Sequence, residues 1–175
     1  MVEIDGQRAW DMLRKYLPHR PETLSGEDSF HFCLGELHHF APPIGDKLVV
    51  RTAMGMEPQT GALKFSVEMP VGTKFFLTRR DPEVISKNVL DRFHQLLERN
   101  KGRKILAVLQ FDCSGRGHVI YGNNLNKMIF EPLQKMLPPE TPWIGFLTFG
   151  EIAPIANKVF YHNFTAVIVV LFEPI

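Results

Sequence analysis

From Lys47 to Thr78 the chain passes through three short apolar segments, LVVRTAM, ALKFSV and TKFFLT, divided by MEPQTG and MPVG. Connections this short close antiparallel hairpins and cannot carry the crossover that a parallel pair needs. They predict an antiparallel meander of short strands, with Gly61 supplying the positive φ of the first turn. A long helix is the second constraint. Asp81-Pro82 opens a run in which Ile85, Val89, Phe93, Leu96 and Leu97 form one apolar face, while Arg92, Glu98, Arg99 and Lys101 face water. Asp81 is suited to cap this helix, Pro82 to occupy its first position, and Gly102 to close it. The helix, Asp81 to Asn100, is read as the crossover between the two halves of the chain.

Around it, Asp5 to Tyr16 reads as a short helix with Ala9, Met12, Leu13 and Tyr16 inward and Asp5 as its cap, ended by Leu17-Pro18. HRPETLSGED reads as loop. Ser29 to Leu37 is a strand, and the almost wholly apolar Lys104 to Phe111 is a central strand. Asn124 to Met136 is a helix interrupted by Pro132, which suits two shorter pieces. Trp143 to Phe149 and Phe164 to Phe172 complete the sheet, with the β-branched VIVVLF expected at its centre. The resulting class is α+β, a mostly antiparallel mixed sheet with a long crossover helix and shorter flanking helices. Residues 1–175 are read as a single domain.

Composition narrows the function classes. Lys plus Arg is 20 against 19 for Asp plus Glu, a formal net charge of +1, so no global field recruits nucleic acid or an acidic membrane. The basic clusters Arg79-Arg80 and NKGRK suit a solvated face better than a phosphate track. No apolar window is long enough for a membrane span. Two cysteines, Cys33 and Cys113, make no disulfide framework and suit the reduced thiols of a cytoplasmic protein. No CxxC or HExxH spacing is present, and His38-His39 on a strand would point to opposite faces, so no metal site is expected. No cofactor is assigned.

Three clusters carry chemistry. In Asp112-Cys113-Ser114-Gly115-Arg116-Gly117 a strand end turns through two glycines. Its amides and the Arg116 guanidinium suit an anion, a neighbouring cation would activate the Cys113 thiol, and a tight turn around an inert cysteine fits as well. The P-loop and nucleophile-elbow spacings are both absent. In Gly145-Phe-Leu-Thr-Phe-Gly150-Glu151 a strand bracketed by glycines ends in one carboxylate, suited to a ligand amine or to an ion pair with Arg116. In Phe160-Tyr-His162-Asn163-Phe-Thr, imidazole and amide precede the last strand, as ligand contacts or as local capping groups. No general acid–base pair of carboxylates is evident, and no residue is assigned a catalytic role.

Several ordered stretches, EIDGQRAWDMLRKYL, VVRTAMGMEPQTGALKFSVEMPVGTKFFLTRRD, FDCSGRG, IGFLTFGEIAPI and YHNFTAVIVVLF, resemble the C-terminal FIST domain, a sensory and signal-transduction module. They cover most of residues 3 to 172. The resemblance implies a non-enzymatic small-molecule sensor of a cytosolic signalling system, with an amino acid as one candidate ligand. Its motif residues correspond to Cys113, Gly115, Arg116, Gly117, Gly145, Gly150, Glu151 and Asn163, to which Ser114 and His162 are added here as ligand contacts. In this reading Arg116 and the Gly115/Gly117 backbone take an acidic group, Glu151 takes an amine, and His162 and Asn163 add polar contacts. Some relatives sense nitric oxide through haem, which keeps a haem-based gas sensor as an alternative beside a thiol-dependent enzyme. Family members usually carry an N-terminal partner domain for which this chain has no room. Two readings follow equally: the chain is a fragment or a split-gene product of a longer two-domain protein, or it is a second alternative, a protein-interaction module completed by a signalling partner or a homodimer.

Overall fold

The computed structural model describes residues 1–17 and 33–174. The loop expected over HRPETLSGED and the start of the strand expected from Ser29 lie outside the described residues. The rest divides into two compact units, residues 1–80 with 154–162, and residues 81–153 with 163–175.

In the first unit β1 (Glu3–Ile4) and β2 (Gln7–Arg8) form an antiparallel hairpin. Its turn is Asp5-Gly6, both at positive φ (49° and 75°). Asp5 is therefore a turn residue and not the expected helix cap, because Asp-Gly is among the strongest two-residue hairpin signals. Helix α1 (Ala9–Leu13) starts after the hairpin and continues as a 3-10 turn, Arg14–Tyr16. It buries Ala9, Trp10 and Leu13 against Leu34, Ala53 and Leu63, while Tyr16 stays in water. The main sheet has order β4-β3-β7, from β3 (Cys33–His38), β4 (Lys47–Arg51) and β7 (Phe75–Thr78), all antiparallel. Between β4 and β7, β5 (Gly55–Glu57) and β6 (Ala62–Lys64) form a separate hairpin, closed at Gly61 with φ 69°. The meander is thus broken: β7 returns to β3 instead of adding to β6.

The second unit opens with α2 (Pro82–Arg99). The Asp81 carboxylate accepts from the amides of Glu83 and Val84 at 3.1 and 3.2 Å, and Pro82 holds the first turn. The strands β8 (Ile105–Cys113), β9 (Trp143–Thr148) and β12 (Ala166–Phe172) form a sheet of order β12-β8-β9. β8 is central, as expected. VIVVLF lies in an edge strand, because its only partner in this sheet is β8. β8 and β9 run parallel, and the segment that joins them is helical: α3 (His118–Tyr121), a 3-10 turn at Gly122–Asn124, a π-helical turn at Asn126–Phe130, and α4 (Glu131–Gln134). Pro132 sits at the start of α4. It has no N–H to give to the preceding turn and its ring crowds the carbonyl there, so one continuous α-helix is replaced by pieces. The core between helices and sheet gathers Phe93, Val108, Tyr121, Leu125, Ile129 and Leu133. Full burial of side chains of this size is worth about 1.5–3 kcal/mol each.

The remaining strands, β10 (Glu151–Ile155) and β11 (Lys158–His162), form a two-stranded antiparallel pair. The chain passes from the second unit to the first within β10. The elements match the α+β class: mostly antiparallel mixed sheets, one long helix and several short ones.

Replacing Asp81 with Ala should lower stability by about 1 kcal/mol through loss of the cap, read as a reduced urea midpoint with an unchanged slope. Gly145 tests the sheet more severely. It faces Gln110 across the parallel pair, and a Cβ there would come within 2.4 Å of the Gln110 carbonyl oxygen. Gly145→Ala should therefore cost about 1–3 kcal/mol, the usual range for forced overpacking, by the same measurement.

Candidate functional site

The strand β8 alternates, so Val108, Gln110 and Asp112 share the face that meets the helices. Val108 belongs to the core, and the next two positions place an amide and a carboxylate on that same face. Asp112 is 1% exposed. A lone carboxylate so deeply buried would be strongly disfavoured, and Arg116, four residues on, supplies the cation. Its Nη1 donates to both carboxylate oxygens, at 3.0 and 2.9 Å, and Gln110 Nε2 donates to Oδ2 at 3.2 Å. Burial pushes the Asp112 pKa up. The Arg116 charge and hydrogen bond and the Gln110 hydrogen bond pull the other way, and the negative charge of Glu151 adds to the rise.

The turn after β8 closes on itself. Arg116 N and Gly117 N both donate to the Cys113 carbonyl, at 2.9 and 2.7 Å, and Val119 N donates to Ser114 O. Gly117 packs where a Cβ would meet Asp112 Oδ1 and Leu125, each at 3.2 Å. The Cys113 thiol is raised in pKa, first by burial and then by the Glu151 charge, against the lowering effect of hydrogen bonds from the amides of Phe164, Gly115 and Arg116. The turn amides therefore converge on the protein's own sulfur and carbonyl. This corrects the activated-thiol expectation: Arg116 serves Asp112, and the thiol is held protonated and buried.

The second cluster meets the first. Ser114 N donates to Thr148 O at 2.7 Å, and Cys113 N to Thr165 O at 3.0 Å. Glu151 is 3% exposed and accepts from Thr148 Oγ1, from Thr165 Oγ1 at 2.9 Å and from Thr165 N at 3.4 Å. The ends of β8, β9 and β12 are thus stitched together through Cys113, Ser114, Thr148, Glu151 and Thr165. Asn163 is buried at the start of the second unit's last segment, and Gly150 immediately precedes Glu151. His162 belongs to the first unit, where its ring lies 6.1 Å from that of Phe160.

Beside this knot lies a cleft of about 370 Å³ within the second unit. Gln110 and Asp112 reach it from the central strand. Trp143, Gly145, Phe146 and Leu147 line it from β9, and Leu125, Asn126, Phe130 and Gln134 from the helical connection. The π-helical turn, a rare form that recurs at functional sites, carries both Asn126 and Phe130. Of the residues anticipated as ligand contacts, Cys113, Ser114, Gly115, Arg116, Gly117, Gly150, Glu151, His162 and Asn163, none lines this cleft, whereas the motif glycine Gly145 and Asp112 of the first cluster do. Arg116 stands behind it, holding Asp112. Sequence reasoning missed Gln110, Asn126 and Gln134. The one available signal was a pair of polar residues two apart inside an otherwise apolar central strand, which in a buried strand must find partners.

The first unit holds a buried ion pair that was also missed. Arg51 Nε donates to Glu36 Oε2 at 2.7 Å, Arg51 Nη1 donates to Tyr161 O, and His38 Nε2 stands 3.2 Å from Glu36 Oε1. His39, just beyond the end of β3, instead pairs with Asp46 at 2.7 Å, so the adjacent histidines take different partners. A wider groove of about 880 Å³ in this unit runs between residues 1–6 and 69–76. Its ionisable side chains, Glu3, Asp5 and Lys74, are exposed, so it lacks the buried polar group that marks the other cleft. Among the described residues no cluster of His, Cys, Asp and Glu is arranged to hold a metal ion, and no helix is long and apolar enough to cross a membrane.

The thiol gives a pH prediction. A folded pKa above the unfolded value of 9.0 means that the unfolded chain releases this proton first. Stability attributable to the protonated thiol is therefore complete below pH 9.0 and is lost as the pH rises toward the folded pKa. Urea midpoints of the native protein should fall more steeply above pH 9 than those of Cys113→Ser. At neutral pH, Cys113 should react with iodoacetamide far more slowly in the native protein than in urea.

Residues 9–154 match the family model described as FIST C domain. An uncharacterized protein of Mycobacterium bovis is 30% identical over 128 residues, covering 73% of this chain and 32% of its own length. One from Mycobacterium tuberculosis is 28% identical over 129 residues, with the same coverage. The chain thus spans about a third of the length of these relatives. No solved structure matches. The match over residues 9–154 places the chain in the FIST C domain family, a family of sensory and signalling domains.

Proposed function

We propose that the domain is the small-molecule-sensing part of a signalling system, and that the ligand enters the cleft lined by Gln110 and Asp112. The observation that carries this reading is a buried, ion-paired carboxylate opening onto a cleft with aromatic and aliphatic walls. Its volume of about 370 Å³ falls within the roughly 300–1,000 Å³ typical of ligand pockets, which are mostly apolar with a few fixed polar groups. Gln110 and Asp112 line the cleft near the carboxyl end of β8, the part of an α/β unit where ligands usually bind, and β9 lines it from its first residue, Trp143, to Leu147.

The arrangement suits recognition better than turnover. Asp112 is clamped by Arg116, the Cys113 thiol is held protonated, and Glu151 is occupied by two threonines. Among the described residues, the lining holds no His, Cys, Met or Tyr side chain to serve as an axial haem ligand, which argues against the haem alternative at this site. An α-amino acid would need a cation for its carboxylate. Arg116, the residue expected to provide it, is 4% exposed and bound to Asp112. The protein-interaction alternative draws on Ile144 and Phe146 of the edge strand β9, which are 68% and 63% exposed.

The test is an NMR titration of the labelled protein with pools of small metabolites that include all amino acids and the nucleobases. At least one pool should shift the side-chain amide signals of Gln110, Asn126 and Gln134 together with the Gly145 backbone amide. Pools that leave all four unmoved would remove the sensing cleft.

A further inference from the structure

The lining of the cleft selects a narrower class of ligand, given the sensing role proposed for it. Among the described residues, Asp112 is the only ionisable side chain in the lining, and its charge is already balanced by Arg116 at 2.9 Å. No described lysine or arginine lines the cleft, so a phosphate or carboxylate would enter without a counter-charge. A free cation would meet a carboxylate whose charge is already spent. The site as a whole is therefore matched to an uncharged ligand.

Three primary amides, Gln110, Asn126 and Gln134, come from opposite sides of the cleft, two on the helical connection and one on the central strand. A primary amide carries two N–H donors and an acceptor oxygen in one plane; Gln110 gives one N–H to Asp112 and Asn126 one to Glu131 at 3.2 Å, which leaves each an N–H and the oxygen. That is the geometry that reads the alternating donors and acceptors on the rim of a nitrogen heterocycle, as Asn and Gln do with adenine. Asp112, when ionised, is an acceptor only, so what it offers a ligand is a partner for a ring N–H or an exocyclic amino group. The flat walls are Trp143 and Phe130, and aromatic side chains stack on bases of any sequence. Gly145, without a side chain, lets β9 lie close against Gln110 at the cleft wall. A carbohydrate would use the amides but gain less from the flat rings, and a fatty ligand would leave three amides and a carboxylate without partners at a cost.

We propose that this cleft recognises an uncharged planar nitrogen heterocycle of the nucleobase type, through the edges of Gln110, Asn126, Gln134 and Asp112 and the faces of Trp143 and Phe130. The same ring can arrive as a free base, as a nucleoside, or as an unpaired base in a nucleic-acid strand.

Calorimetric titration of the full chain with adenine, cytosine, uracil, adenosine and a short single-stranded oligonucleotide tests this, with the amino acids as a separate arm. A base or nucleoside should bind saturably. Asn126→Ala and Gln134→Ala, both at exposed positions that leave the core intact, should each weaken it about threefold to tenfold, the worth of one neutral hydrogen bond. Lys127→Ala, a neighbour that does not line the cleft, should change nothing. Preference for the oligonucleotide that persists at high salt would assign the ring to a strand, and preference for the free base or nucleoside would assign it to a metabolite. Binding of an amino acid that responds to Asn126→Ala and Gln134→Ala, with no base bound, would overturn the heterocycle class and leave the sensing reading standing. Base affinity unmoved by both variants would overturn this cleft as its site. No binding in any arm would overturn both.

Discussion

Asp112 occupies a place in the central strand of the second unit where a carboxylate can be held only with a cation beside it. Arg116 is that cation, and the need for it shapes the next stretch of chain. To return the guanidinium to a residue four positions earlier, the backbone must turn at once after β8. The turn is tight enough that Arg116 N and Gly117 N share the Cys113 carbonyl, and a Cβ on Gly117 would crowd the carboxylate at 3.2 Å. The connection then enters α3 already bound to the strand end. Removing either partner would leave a buried charge alone, a far larger penalty than the net worth of the pair.

Around this pair the second unit gathers more negative charge than it neutralises with cations. Glu151 is buried, and the groups shown bonding it are the hydroxyls of Thr148 and Thr165 and one amide. Burial raises the pKa of both Asp112 and Cys113, and the field of Glu151 adds to that effect on each. The result is a rigid polar knot at the strand ends in which each group is held by others. Such networks fix geometry when satisfied and are costly when broken. The cleft inherits that rigidity along one wall, while its other wall comes from a helical segment distorted at Asn126–Phe130 and restarted at Pro132. One side is thus preorganised by hydrogen bonds and the other set by a local break in regular helix, which is how a small pocket opens inside an otherwise packed unit.

The features that local chemistry controls were legible in the residues. Asp81-Pro82 caps α2 because a carboxylate followed by a fixed φ is a helix start in any surroundings. Gly61 turns the β5–β6 hairpin, β8 is central because it is apolar on both faces, and Pro132 divides its helix. The family resemblance was legible too, since it rests on order and spacing along the chain. Even the error at Asp5 was a contest between two local rules, capping and the Asp-Gly turn, won by the turn because Glu3–Ile4 and Gln7–Arg8 pair across it.

Long-range pairing decided the rest. β12 is the most β-branched segment and yet lies at an edge, because composition favours a strand without saying how many neighbours it will have. Glu36 and Arg51 form a buried pair only through the register of β3 with β4. Arg116, an exposed-looking cation beside glycines, became an internal counter-ion once Asp112 was placed on the helix-facing side of β8. The cleft itself joins residue 110 to residues 126, 134 and 143, and no periodicity connects them. Sequence alone determined the long helix, most of the strands and the family to which the chain belongs, because those follow from neighbours along the chain, while the β1–β2 hairpin and the strands β10 and β11 went unread. Which polar groups face one another, and so what the protein can recognise, was fixed by tertiary packing, because a buried charge takes whichever partner the fold brings within reach.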